Sequence, residues 1–172
     1  MRRLARYLLI IFAFAMGGHL AAGELPTENR LKAGFVGNFI QFTRWPGKPD
    51  SIVVCGFDAR PDDDPLVQLN GAEHRRSMLT VRRVKSVAEV RGCQAFFLDS
   101  ANAARLPDLL AVAAGQALLI ITEFEGGAPL GAALSLVATG GGRLGFDVNL
   151  TAARAVGLDF NARLLQLARR VY

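Results

Sequence analysis

Residues 51–57 read SIVVCGF, an almost continuous apolar and β-branched run. A strand with one wet face alternates apolar and polar side chains, so an uninterrupted run predicts a central strand covered on both faces. AFFL at 95–98 and ALLIIT at 117–122 read the same way. Between them Pro107 opens a helix and Gly115 closes it. Upstream, Leu31, Phe35, Phe39 and Phe42 share one helical face, which predicts a helix from Glu28 to Trp45. Thr27 is its N-cap, Glu28 suits its positive end, and Pro46-Gly47 stops it. Residues 58–65 form a polar loop, 66–70 a short helix, and Leu79–Val84 a further strand with Arg82 and Arg83 at its outer end. Leu134–Ala138 and Arg143–Val148, parted by Thr139 and three glycines, make a hairpin. Helices over 151–156 and 161–172 complete the chain. Strands alternating with helices predict a single α/β domain: a mixed, mostly parallel sheet with helices on both faces and a late antiparallel hairpin.

The N-terminus carries an address. Residues 1–7 hold three arginines and no acid, LLIIFAFAM follows at 8–16, and Leu20-Ala21-Ala22-Gly23 offers small residues at both cleavage positions. A basic flank, a short apolar run and a small-residue site make a secretory signal peptide. The apolar run is too short to span about 30 Å of hydrocarbon, so the expected product is residues 24–172, exported and not membrane-spanning. Hydrophobic residues at 51% and charged ones at 20% suit one packed domain. Without Arg2, Arg3 and Arg6, 17 basic residues face 15 acidic ones, and the case for nucleic-acid binding loses its main support.

Two cysteines remain, Cys55 and Cys93. In an exported chain an even count points to a disulfide, the alternative being two buried thiols. His74 is the one histidine beyond the signal and neither cysteine belongs to a CxxC, so a metal site is not expected. Gly140, Gly142 and Gly145 match G-x-G-x-x-G, but a strand follows them rather than a helix, so they read as a tight turn and no nucleotide cofactor is implied. There is no GxSxG, and nothing marks a serine as partner to His74. The acidic run 62–64 lacks the staggered ligands of a calcium loop. Glu123 and Glu125 are paired carboxylates two apart beyond a strand, with surface charge as the default reading. No set of residues suggests an enzyme.

Surfaces remain as candidates. Basic residues cluster between His74 and Arg91, with Arg82 and Arg83 at the centre; they form either a docking face or the charged edge of a sheet. Trp45 ends an aromatic stripe that otherwise reads as core. Near the C-terminus Leu164, Ala168 and Val171 share a helical face with Leu165 and Tyr172 beside it.

Three stretches then carry a resemblance. These are LKAGFVGNFIQFTRWP at 31–46 followed by IVVCGF, then GCQAFFL with ALLIIT, then GGGRLGFDVNLTAARAVGLDFNARLLQLARRVY at 140–172. Their order is similar to the YfiR-like, or HmsC-like, family of exported bacterial proteins across essentially the whole mature chain. The resemblance implies a non-enzymatic periplasmic regulator that binds the periplasmic domain of an inner-membrane diguanylate cyclase. By holding that enzyme inactive it would lower cyclic-di-GMP and biofilm formation. The family's disulfide maps onto Cys55 and Cys93; a second pair that some members carry nearer the C-terminus is absent here. Candidate partner contacts are Trp45, Arg82, Arg83, Leu164, Leu165 and Tyr172, and a homodimer is the ordinary prior. The alternative is a periplasmic small-ligand-binding module reporting to a membrane sensor kinase or receptor. Its pocket is expected at the carboxyl ends of the strands, near Gly56-Phe57 and Leu98-Asp99.

Overall fold

The computed structural model describes residues 28–59, 64–70, 73–74 and 77–172. The signal segment, Thr27, residues 62–63, Arg75 and Arg76, and the side chain of His74 lie outside the described residues. In chain order the elements are α1 (Glu28–Phe42), β1 (Thr43–Arg44), β2 (Ser51–Phe57), a 3-10 turn (Pro65–Leu69), β3 (Glu73–His74), β4 (Ser77–Val84) and a second 3-10 turn (Val87–Val90). Then come β5 (Ala95–Leu98), a 3-10 segment (Ser100–Arg105) running into α2 (Leu106–Ala113), β6 (Leu119–Thr122), β7 (Leu134–Ala138) and β8 (Leu144–Val148). The chain closes with α3 (Leu150–Ala155), β9 (Asp159–Phe160), α4 (Ala162–Leu167) and β10 (Arg170–Val171).

Eight strands form one sheet in the order β10-β8-β7-β6-β5-β2-β4-β3. From β4 to β7 the neighbours run parallel; β7 and β8 form the antiparallel hairpin, and β10 lies parallel to β8. All four residues of β5 and of β6 are buried, as strands covered on both faces require. On one face Val36, Phe39 and Ile40 of α1 pack on Val54, Phe97, Ile121 and Phe146. On the other Leu106, Leu109 and Ala113 of α2 cover Cys55, Phe96 and Ile120. The expected fold class is the observed one.

The chain reverses its winding at β2. From β2 it passes to β4 on one side through the Pro65–Leu69 turn, whose Leu66 and Leu69 pack on the α1 face. It then returns to β5 on the other side of β2 through the Val87–Val90 turn, whose Val90 packs on the opposite face. Right-handed crossovers that move in opposite directions must lie on opposite faces. The loops leaving β2 and β5 therefore diverge, and a crevice opens at the carboxyl ends of these two strands.

The disulfide joins Cys55 of β2 to Cys93 just before β5, with Cα atoms 5.9 Å apart. Arg82 lies over it. The residue sits level with Cys55 on β4, and its Nη2 donates to Cys93 Sγ at 3.0 Å and to the carbonyls of Arg91 at 2.7 Å and Glu89 at 3.2 Å.

Two helices are shorter than their sequence periodicity suggests. The first ends at Phe42 rather than Trp45 because Thr43 and Arg44 pair with Phe160 and Asp159, and the Phe42 carbonyl accepts from Asn161 N at 2.9 Å. The last spans only Ala162–Leu167. Arg169 N then donates to the Phe146 carbonyl and Tyr172 N to that of Val148, so the expected helix over 161–172 finishes as the edge strand β10. The three glycines at 140–142 all have positive φ, as a tight hairpin turn requires, and no helix follows them.

Mass spectrometry of exported protein alkylated without reduction should find no free thiol. Replacing both Cys55 and Cys93 with alanine should lower unfolding free energy by about 2 to 4 kcal/mol in urea titrations, since the bridge closes a loop of 38 positions.

Candidate functional site

The crevice at the end of β2 is a real cleft of about 570 Å³. Glu28 and Lys32 reach it from the first turns of α1, Asp58 from the end of β2, Asp99 and Asn102 from the end of β5, and Glu123 from the end of β6. This is the place expected for a ligand pocket near Gly56-Phe57 and Leu98-Asp99.

Lys32 forms one wall. It lies on α1 one turn after Glu28, and helical spacing sets those two side chains together. The residue is only 8% exposed, with its Nζ 2.5 Å from both Glu28 Oε1 and Glu123 Oε1. Burial opposes its charge, but the hydrogen bonds and charges of Glu123 and Glu28 outweigh burial and hold its pKa above the ordinary lysine value. The Asp99 carboxylate accepts from Asn102 N at 2.9 Å and from Asn102 Nδ2 at 3.0 Å on each oxygen, opening the 3-10 segment that precedes α2. Asp58 is exposed at the rim.

Arg83 approaches from behind. A strand sends successive side chains to opposite faces, so Arg82 covers the disulfide while Arg83 crosses to the α1 face. It pairs with Asp64, and its Nη1 donates to the Phe57 carbonyl at 3.3 Å. Burial lowers its pKa, and the nearby charges of Asp58 and Asp99 oppose that shift. Gly56 makes the path possible: a Cβ there would stand 2.8 Å from Arg83 Nη1 and 2.9 Å from Leu66 Cδ1.

The other candidates disperse. Arg82 and Arg83 do not share a basic face. Trp45 is half-buried at the opposite end of the sheet, donating from Nε1 to the Ile40 carbonyl at 3.1 Å beside a cleft of about 300 Å³ shared with Pro49, Cys93 and Gln94. Leu164 is 3% exposed and belongs to the α1-side core, and Leu165 is half-buried. The accessible apolar part of that segment is Leu167, Val171 and Tyr172, because the helix gives way to β10. Glu123 and Glu125 also part company, the first to Lys32 and the second to Arg169 at 3.6 Å. Sequence reasoning treated Glu123 as surface charge and passed over Lys32 entirely. The available signal was a lysine one turn from Glu28 on the buried side of an aromatic helix, although its second partner is 91 positions away.

Among the described residues no group of three His, Cys, Asp or Glu side chains is placed to hold a metal, and no helix is long and apolar enough to cross a membrane. The YfiR/HmsC-like family model matches residues 29–169, from the first turn of α1 to the residue before β10. The chain belongs to the YfiR/HmsC-like family. A comparison with curated proteins finds no match. Membership supports a periplasmic regulatory role in the cyclic-di-GMP cyclase system, with a membrane-associated partner.

Lys32→Met should cost about 1 to 3 kcal/mol of unfolding free energy, because it strands the mostly buried Glu123 carboxylate. A raised lysine pKa stabilises the fold fully below the unfolded value of about 10.4 and loses that contribution as pH rises through the folded value. The wild-type advantage should therefore hold between about pH 7 and 9 and shrink only in more alkaline solution, read by denaturant titration.

Gly56→Ala should also destabilise the fold, by about 1 to 3 kcal/mol, as the new methyl group pushes Arg83 off the Phe57 carbonyl. Pairing the substitution with Arg83→Ala should recover part of that loss, which a double-mutant cycle measures.

Proposed function

We propose that this YfiR/HmsC-like protein is a periplasmic repressor that binds the periplasmic sensor domain of an inner-membrane diguanylate cyclase. The observation that carries the reading is the family match over residues 29–169. The bridged Cys55 and Cys93, together with the export signal read at residues 1–23, fit a periplasmic protein. A repressor must bind the inactive state of its target more tightly than the active one, since equal affinity shifts nothing. We assign the partner contact to Trp45 and the accessible C-terminal residues Leu167, Val171 and Tyr172, with the exposed Arg82, on β4 near the far edge of the sheet, as a separate basic candidate. Arg83 is a weaker candidate because it is half-buried against Asp64 on the α1 face, whereas Arg82 stays exposed while donating to Glu89, Arg91 and Cys93.

A second reading has its own observation. The cleft at the end of β2 and β5 lies where doubly wound sheets hold ligands, which favours a small-molecule module that reports to a membrane sensor. The two readings combine if ligand binding controls release of the partner.

The test is intracellular cyclic-di-GMP with and without this gene in cells that express the cyclase. Deletion should raise it several-fold, and only the exported form should restore it. An unchanged level would remove the repressor reading. Charge reversal at Arg82 alone, rather than at both arginines, tests the basic contact, because Arg83→Glu would set a fourth carboxylate beside Asp58, Asp64 and Asp99. Loss of partner binding by Arg82→Glu with unfolding unchanged would support that contact; unaltered binding would discard it.

A further inference from the structure

We propose that residues 168–172 form a strap held to the sheet by the charge of Arg169 and loosened by salt, whose seating decides whether Val171 and Tyr172 present the partner contact. The inference rests on the repressor reading above and adds a regulation of its contact site.

The main chain shows what the strap fastens. β10 is a two-residue strand at the outer edge of the sheet, with both residues exposed. Arg169 N donates to the Phe146 carbonyl and Tyr172 N to that of Val148, each at 2.8 Å. The Tyr172 main-chain oxygen accepts in turn from Leu150 N at 2.9 Å and Thr151 N at 3.4 Å. Those two amides open α3, where a helix has no internal acceptor for them. The strap therefore closes the start of α3 as well as the edge of β8. Side-chain burial adds little, since Val171 is 49% and Tyr172 41% exposed. A segment with few buried apolar contacts opens at low free energy.

Arg169 is the side chain that reaches inward. Its stem crosses Gly145 of β8, where a Cβ would stand 2.6 Å from Arg169 Cδ. Its guanidinium lies between two carboxylates, with Nε 3.7 Å from Asp147 Oδ1 and Nη2 3.6 Å from Glu125 Oε1. Both separations exceed hydrogen-bond length, so charge rather than directed bonding holds the group. The buried Asp147 Oδ1 has no hydrogen-bond donor among the described residues. Ser135, level with it on β7, pairs its hydroxyl with that of Thr122 at 2.8 Å. A carboxylate so placed depends on a nearby cation. Arg170 stands level with Asp147 on β10, feels both carboxylates and moves with the strap, so it adds to the same attraction. Glu125 is exposed, and its share of the attraction is the part that added salt screens. Lifting the strap would carry Val171 and Tyr172 away from Leu167, which stays on α4, and divide the contact. Partner affinity then scales with the seated fraction.

The experiment is amide hydrogen exchange on the mature protein in about 50 mM and about 500 mM sodium chloride, with Arg169→Ala, Glu125→Gln and Arg163→Ala beside the wild type. Wild-type protection at Leu150, Thr151 and Tyr172 should fall about fivefold in high salt. Arg169→Ala should show that low protection at both concentrations, and Glu125→Gln should remove most of the salt effect. Constant protection along β5 and β6 separates strap opening from unfolding. Full protection in Arg169→Ala would overturn the proposal. Arg163 is an exposed arginine of α4 outside these pairs, so an equal loss in Arg163→Ala would mean a general charge effect and overturn it too. Binding of the cyclase's periplasmic domain then reads the regulation. Arg169→Ala should weaken it about fivefold, and unaltered affinity would break the link between strap and contact. No binding even by the wild-type protein would remove the repressor reading and the regulatory half of this proposal, while the exchange data would still decide the strap.

Discussion

Strand β2 is the member on which the rest of the molecule depends. Both its faces are covered and both its edges are paired, with β4 on one side and β5 on the other. Only apolar side chains tolerate that position, and the chain must leave it in opposite directions to complete the sheet. The same constraint places the disulfide, since Cys55 on the α2-side face of β2 meets Cys93 at the approach to β5. It also places the cleft, because diverging crossovers leave the carboxyl ends of β2 and β5 uncovered.

Electrostatics then divide the molecule into two ends. At the carboxyl ends of the parallel strands lie Lys32 and its carboxylates. At their amino ends lie Trp45 and Cys93, with Gln94 Oε1 accepting from Val53 N at 2.8 Å. α1 runs between them, about 22 Å long for its 15 residues. Its first turns are held by Lys32 and Glu123; its last turn is held by Thr43, whose hydroxyl donates to the Phe39 carbonyl at 2.7 Å, and by pairing of β1 with β9. One helix thus links the cleft at the first end with the Trp45 surface proposed for a partner. A ligand at the first end would influence binding at the second only through a difference in its affinity for two arrangements of that helix.

The two arginines show how far residue type alone misleads about surfaces. Arg82 and Arg83 are neighbours in the chain and look like one basic patch. The two-residue period of a strand sends one to the disulfide and the other to Asp64, and each then spends its donors on fixed partners. Leu164 and Tyr172 repeat the point at the other edge of the sheet. A continuous helix would align them with Leu165, but edge pairing with β8 takes Tyr172 out of the helix and leaves Leu164 in the core.

What the sequence determined by itself are the properties set by local pattern. The uninterrupted runs at 51–57, 95–98 and 117–122 require strands buried on both faces, the aromatic stripe requires α1, and the triple glycine requires a hairpin turn. These follow from side-chain period and backbone freedom, which act over a few residues. The order of winding around β2, the truncation of both helices by strand pairing, and the meeting of Lys32 with Glu123 were decided only by the tertiary structure. Each depends on backbone groups or charges far apart in the chain, and no periodicity within a segment records which distant partner will satisfy them.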